Sequence, residues 1–447
     1  MPTTISSSAA HGMDLLRRDD PLLYSLLEKE HTRQTETLAV IAAASVADPS
    51  VVACEGTSLG NVTTEGYPGA RFHGGCEVID QIERLAVDRA MQAFGAQYAN
   101  VQPHSGSSAN QAIMFSLLQP GDVLLGMELS AGGHLTHGSR ASVSGRHFRA
   151  VSYGVDESGW IDYPEVARTA RAHRPRMIVC GASAYPRTID FAAFRAMADE
   201  VGAYLLADIS HIAGLVATGL HPSPIDHAHF TTTSTYKQLY GPRGGLILSG
   251  QDAHRAAGTS ARTLADLIQS AVFPSFQGTP RLNTIAAKAR ALAIMSAPAF
   301  RALTDRILSD ARALADALAG LGHHVLSGGT DNHIVLVDVG RESLTGLLAE
   351  QALESCGIVV NRNKIVNDPR GPATASGLRF GTNILAARGM EEPAVRHVAD
   401  LVDRVLRAVR PHQDGRGWDL SETVREEVLA DVADLCREYP LRQLDAG

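Results

Sequence analysis

Hydrophobic and polar positions follow two different rhythms along the chain, and where each rhythm holds marks out the architecture. Between about residue 66 and residue 290, short apolar runs recur behind glycine or polar residues: "DVLLGM", "HFRAVSYGV", "RMIVCGAS", "AYLLADIS", "HFTTTST" and "GGLILSG". Each has the length of a strand, and most lack the alternation of a sheet with one wet face, as expected for strands buried on both sides. Between them, "CEVIDQIERLAVDRAMQAFG", "YPEVARTARAH" and "DFAAFRAMADEVG" repeat their apolar residues every third or fourth position, which predicts helices. Strand and helix in alternation predict an α/β fold with a mainly parallel central sheet.

The pattern differs at both ends. The first dozen residues read as unstructured, and "DPLLYSLLEKEHTRQTETLAVIAAAS" reads as one long helix of a docking arm. After the helical passage "TIAAKARALAIMSAPAFRALTDRILSDARALADALAGLG", the runs "HHVLSGG", "HIVLVDV", "GIVVNRN" and "GLRFGT" predict a smaller α+β unit, closed by "VREEVLADVADLCREYP". The expected organisation is an N-terminal arm and helix over residues 1–60, a large domain over 61–295 and a small C-terminal domain over 296–447. A chain of 447 residues is too long for one simple core, which agrees with this division.

Composition narrows the picture. A net charge of −8 without any block of like charge argues against nucleic acid or an acidic membrane surface as partner. Cys54, Cys76, Cys180, Cys356 and Cys436 are scattered, with no pair at metal-ligand spacing, and read as reduced thiols. The opening stretch has no apolar core suited to a signal peptide, and no apolar run approaches a membrane span. The expectation is a soluble, cytoplasmic protein.

Ligands of an open α/β sheet bind at the carboxyl ends of the strands, and several reactive residues fall there. "QPHSGSSANQAIM" opens a helix with a polar, glycine-broken turn. Ser105, Gly106 and Ser107 can offer N–H groups and hydroxyls to a phosphate, or Ser105 can be a plain helix cap. In "LLADISHIAG", Asp208 follows an apolar strand with His211 three residues on; a carboxylate there can hold a proton on a pyridine nitrogen, or can simply close a turn. "GGHLTHGS" sets His134 in a glycine-flanked turn, where an imidazole can lie flat on an aromatic ring. His137 makes a metal pair conceivable, yet the sequence offers no third ligand, and no metal is expected. Lys237, in "TTTSTYKQLYGPRGG", can form a Schiff base if burial and a cation such as Arg243 keep its amine partly neutral. A phosphate cradle, histidine, strand-end aspartate and lysine in this order point together to pyridoxal phosphate.

The chain resembles serine hydroxymethyltransferases, fold-type I pyridoxal-phosphate enzymes, through "EGYPGARFHGG", "FGAQYANVQPHSGSSANQAI", "GGHLTHG", "GASAYPRTIDF", "GAYLLADISHIAGLVATG", "KQLYGPRGG" and "SGLRFGT". The resemblance implies pyridoxal 5'-phosphate held covalently by Lys237. It implies Asp208 at the pyridine nitrogen, His134 over the ring and His211 with Ser183 near the 3-oxygen. Ser105, Gly106 and Ser107 would hold the phosphate, Arg379 the substrate carboxylate, and Glu65 would be the acid–base residue at the substrate hydroxyl. The family builds each site from two subunits, so Glu65 and the Gln277-Gly278-Thr279-Pro280 loop would serve a neighbouring chain in a homodimer or tetramer.

Departures from the family pattern are as informative. Ala43-Ala44-Ser45 replaces Ser-Glu-Asn, and Thr63, Phe72 and His73 stand where the family has tyrosines near the amino acid and the folate. Tyr236 replaces a histidine, Thr279 a glycine, Asn283 a histidine and Asn383 a proline. Thr63 and His73 are therefore candidate substrate-binding residues of altered character. A retained cofactor set beside an altered one-carbon side implies an L-threonine transaldolase of specialised metabolism, converting threonine and an aldehyde into acetaldehyde and a new β-hydroxy amino acid. A tetrahydrofolate-using hydroxymethyltransferase, with Asn361 on the folate-side strand, is the alternative. A threonine aldolase and a non-enzymatic cofactor-binding descendant are two more.

Overall fold

The computed structural model describes residues 5–257, 261–342, 344–413 and 417–442. Its strands, in chain order, are β1 (Leu38–Ala39), β2 (Gly66–Tyr67), β3 (Ala70–Arg71), β4 (Tyr98–Asn100), β5 (Val123–Met127), β6 (Arg149–Tyr153), β7 (Met177–Cys180), β8 (Tyr204–Asp208), β9 (Phe230–Ser234) and β10 (Gly245–Ser249). β11 (His324–Val325), β12 (Ile334–Asp338), β13 (Ile358–Val359), β14 (Asn361–Asn363) and β15 (Gly377–Gly381) follow. Seven of them form the main sheet, in the order β4-β10-β9-β8-β7-β5-β6. Strands β6, β5, β7, β8 and β9 run parallel, while β10 is antiparallel to β9 and to β4.

The apolar runs behave as burial on both faces requires. Leu205 and Ala207 of β8, with Ile178 and Cys180 of β7, point into one core. Leu206, Met177 and Val179 point into the core on the opposite face. This two-residue alternation of faces is the strand's own geometry, and it works here only because helices cover both sides. The exception in composition is β9, whose Thr231, Thr232 and Thr233 are fully buried. A polar strand in the middle of a sheet needs polar partners, and these lead to the site below.

The four-stranded antiparallel sheet β11-β12-β15-β14 carries a separate core with residues of the helices Pro298–Gly320 and Glu392–Ala408. The N-terminal segment is stitched to this unit: β1 pairs in parallel with β13, Leu38 opposite Ile358, and Leu38 and Val40 lie in the same core.

Two expectations for the N-terminus are corrected. Residues 5–19 form a helix, Ile5–Asp19; residues 1–4 lie outside the described residues. No proline interrupts this segment, and Arg17 and Arg18 in its last turn suit the negative end of the helix dipole. Asp20 then caps a second helix, Pro21–Glu36, by accepting from the Leu23 N–H at 3.1 Å. That helix stops at Glu36, short of the single long helix expected through residue 45. "TLAV" is drawn instead into pairing with β13, a long-range contact that outweighs local helical propensity. Among the described residues, no helix is long and apolar enough to cross a membrane.

Candidate active site

Strand β9 delivers Lys237 to the carboxyl end of the sheet, where the side chain is 7% exposed. Burial lowers its pKa to about 8; Asp208 opposes the shift, and Arg379 and Arg243 reinforce it. About a tenth of the amine is therefore unprotonated at pH 7, the form that attacks a carbonyl.

Asp208 closes the adjacent strand β8. Its Oδ2 accepts from Asn110 Nδ2 at 2.7 Å and lies 3.1 Å from His137 Nε2, and its Oδ1 accepts from the Ser210 N–H at 3.0 Å. Burial alone would raise its pKa. The hydrogen bond from His137, with the fields of His137 and Lys237, outweighs that and holds it well below the usual carboxylate range. Asn110, on the helix Gly106–Leu117, also donates to Thr136 Oγ1 at 2.9 Å and accepts from Thr232 Oγ1 at 2.5 Å. Thr233 Oγ1 donates to the Ser234 carbonyl at 2.8 Å and Thr231 Oγ1 is buried without a partner, so of the three threonines only Thr232 is matched by this amide. It was not evident in the sequence; a buried asparagine among the small and apolar residues of that helix face is the available sign.

His134 takes the Thr136 N–H on Nδ1 at 3.2 Å. Burial, with smaller contributions from its neighbours, lowers its pKa to about 4, so the ring is neutral. His211 is held neutral for the same reason, well below its ordinary value, and its Nδ1 is buried without a hydrogen-bond partner. His333, a residue that sequence reasoning missed, stacks on it with centroids 5.6 Å apart and planes at 16°, and bonds Ala42 O at 3.0 Å. His134, His137 and Asp208 offer ligand atoms within 4.8 Å of one another, so three potential metal ligands do converge where the sequence offered two. Four hydrogen bonds to Asp208 and His134 already account for much of their capacity.

At the start of the helix Gly106–Leu117, Ser105 is the cap in a reciprocal box with Ser108, so its hydroxyl is engaged there. The Gly106 and Ser107 N–H groups, at the first helical positions, have no carbonyl of their own helix to bond. A Cβ on Gly106 would come within 3.1 Å of the Ser234 N and 3.2 Å of Ser210 Oγ. Glycine thus lets the helix start lie close against the end of β9 and Ser210, and Ser234 Oγ beside it is buried without a partner.

Arg379 projects from β15 opposite Asn361 of β14. Its Nε donates to Asn361 Oδ1 at 3.0 Å and its Nη1 to the Ser183 carbonyl at 2.5 Å, which aims the guanidinium and leaves Nη2 available. Burial lowers its pKa to about 10, so it stays charged at neutral pH.

The chain therefore brings Lys237, Asp208, His134, His211, Ser183 and Arg379 together. Glu65, Thr63, His73, Gly278 and Thr279 form a different group. Thr63, His73 and Gly278 are exposed, and Glu65 Oε1 would lie 3.5 Å from a Cβ on Gly278. The hairpin β2–β3 beside Glu65 is firmly held: Arg71 donates to Asp80 at 2.8 Å, Glu83 at 2.6 Å and the Gly66 carbonyl at 2.8 Å. Gln102 ties Glu83 to the same carbonyl. Gln277 bonds its own chain at the His104 N–H and the Gln102 carbonyl; beside it Gly278 is exposed and Thr279 half-buried, with His104 bonded to its backbone.

Several departures from the family pattern converge. Ala43, Ala44, Ser45, Tyr236 and Arg243 line one cavity of about 410 Å³. Ser45 Oγ donates to the Tyr236 carbonyl, and Asn383 Nδ2 donates to the Ala42 and Ala44 carbonyls at 3.2 and 3.3 Å. The Tyr236 ring lies 4.3 Å below the Arg243 guanidinium and 5.8 Å from Lys237 Nζ, making it a wall between cavity and lysine.

A depressed strand-end lysine, an ionised strand-end aspartate, neutral imidazoles and a helix N-terminus at Gly106 fit a phosphorylated pyridine aldehyde. The unpartnered Ser234 Oγ and His211 Nδ1 are groups that such a molecule would complete. Fold and site are those of the fold-type I pyridoxal-phosphate enzymes. Residues 16–402 match the family model for serine hydroxymethyltransferase, and the chain belongs to that family. It is accordingly an enzyme of the pyridoxal-phosphate-dependent transferase type.

Proposed function

We propose that Lys237 carries pyridoxal phosphate and that the enzyme is an L-threonine transaldolase, cleaving the Cα–Cβ bond of threonine and loading a second aldehyde onto the glycyl fragment. The observation that supports this reading is the convergence of the departures at 43–45 and 236 on one cavity, which the Tyr236 ring separates from an intact Lys237, with Asn383 bonding the Ala42 and Ala44 carbonyls behind it. When bound, the cofactor supplies the sink for the electron pair left by bond cleavage. Asp208 keeps a proton on its pyridine nitrogen, and Ser107 and Gly106 receive its phosphate at the helix N-terminus. Arg379 receives the substrate carboxylate through Nη2, a charge-assisted hydrogen bond. Glu65 of a second copy takes the proton from the substrate hydroxyl, and Gly278 and Thr279 of that copy border the same site, which makes a dimer the smallest working unit.

Folate-dependent hydroxymethyl transfer is the second reading, favoured by family membership and by Asn361 beside Arg379. The test is acetaldehyde release from L-threonine without folate, with and without aromatic, sugar-derived and small aliphatic aldehydes, alongside serine with tetrahydrofolate. Aldehyde-stimulated consumption of threonine with a new β-hydroxy amino acid supports transaldolation. Inert threonine beside rapid folate-dependent serine cleavage overturns it. Threonine cleavage that no aldehyde accelerates leaves an aldolase.

A further inference from the structure

Lys288, on the helix Leu282–Met295, is a second buried lysine that the chemistry above does not use. It is 2% exposed, and its ammonium donates to three carbonyls: Val101 at 2.7 Å, Pro103 at 3.0 Å and Gly245 at 2.9 Å. Three carbonyls around three N–H donors suit the charged form. Burial lowers its pKa to about 7, with Glu83 and Glu55 opposing the shift.

The place of this cage in the fold gives it meaning. Residues 101–103 are the approach to the Ser105–Gly106 turn, and Gly245 opens β10. The Gly245 N–H also donates to Pro103 O at 3.0 Å. A Cβ on Gly245 would meet the Ser105 carbonyl at 2.3 Å and the Gly106 nitrogen at 3.0 Å. The segment that Lys288 clamps is thus the back wall of the cradle. Its charge reaches the front as well, since His104, next to Ser105, is pushed down by burial first and by the Lys288 ammonium among its neighbours.

We propose that Lys288 is a positioning residue for the cofactor phosphate. Its ammonium fixes the residues behind Gly106 and adds a buried positive charge to the helix N-terminus on which the phosphate sits. The proposal rests on the reading of Gly106 and Ser107 as the phosphate cradle. It predicts selectivity: removing the charge weakens binding of the phosphorylated cofactor more than that of the same ring without its phosphate. A lysine that merely supports the fold would weaken both alike.

The test strips the enzyme and reconstitutes it with pyridoxal phosphate or with pyridoxal, reading both affinities from Schiff-base absorbance. In Lys288→Gln, which keeps a donor and removes the charge, the affinity ratio of phosphate to phosphate-free form falls by roughly tenfold. Lys288→Arg keeps more of that ratio. Equal losses for both ligands, or no loss, overturn the proposal. If Lys288→Gln does not fold, Gly244→Ala makes the same test, because its Cβ would stand 2.3 Å from Lys288 Cε and 2.8 Å from Nζ. Selective loss is again expected, and equal loss again overturns. A wild-type enzyme that binds neither ligand overturns the cradle reading itself, a different result from an unchanged ratio.

Discussion

The Lys237 pocket and the Glu65 shelf are built on opposite principles. In the pocket, almost every polar atom of Asp208, Asn110, Thr136 and His137 is matched by a partner in the same chain, and the residues are nearly dry. On the shelf, a buried Arg71 network holds a rigid hairpin, with Thr63 and His73 exposed beside it and Glu65 half-buried. One chain thus completes the surroundings of Lys237 and Asp208 by itself, whereas Glu65 stands apart from them beside Gly278. Preorganised electrostatics are concentrated in the interior of the chain, while residues at its edge can change at lower cost to stability.

That contrast is open to direct attack. Lys237→Ala is expected to abolish the visible Schiff-base band and to lower turnover by roughly 10³-fold or more, measured by spectrum and steady-state assay. Asn110→Asp keeps the shape but sets a second carboxylate where an amide stands 2.7 Å from Asp208. The pair then holds an extra proton, and turnover falls by roughly 100-fold with a shifted pH profile. If the shelf serves a neighbour, Lys237→Ala and Glu65→Gln mixed after dissociation and reassociation recover about a quarter of wild-type activity, because half the dimers are hybrids with one intact site. Failure of such mixtures to exceed either parent would place Glu65 in its own chain's site.

Proton linkage probes the pocket without substrate. In the cofactor-free protein Lys237 has a pKa near 8, below the unfolded value of about 10.4. The unfolded chain therefore binds more protons between these values, and stability rises with pH through that window. The cost of folding the charged amine is fully present below pH 8 and is of order 3 kcal/mol. Denaturant melts of wild type and Lys237→Met at pH 7 and pH 10 are expected to show the variant's advantage shrinking as pH rises. Tyr236→His is the mildest change: threonine cleavage alone moves by a few-fold at most, while the acceleration by a second aldehyde is diminished. Unchanged partitioning would leave Tyr236 as packing.

Most of the main sheet was legible because its strands obey a local rule: apolar on both faces, glycine or polar residue at the end. That Lys237, Asp208, His134 and Arg379 come together was legible because strand-end positions and family motifs mark them. Asn110, His333 and Lys288 were not, since each acquires its role from partners far away in sequence, at Asp208, His211 and Val101. The arm was misread for the same reason at its far end: nothing in "TLAV" announces Ile358.

The pairing of Leu38 with Ile358 also imposes an order in time. On a ribosome the first strand emerges about 320 residues before the strand it must join, a delay on the order of tens of seconds at ordinary elongation rates. Through that interval the main sheet can close, while the leading segment, with Leu22 and Leu26 bare, has nothing to hold. The later unit is then the one that captures the earlier, and a nascent chain halted before residue 358 is left with Leu38 unpaired.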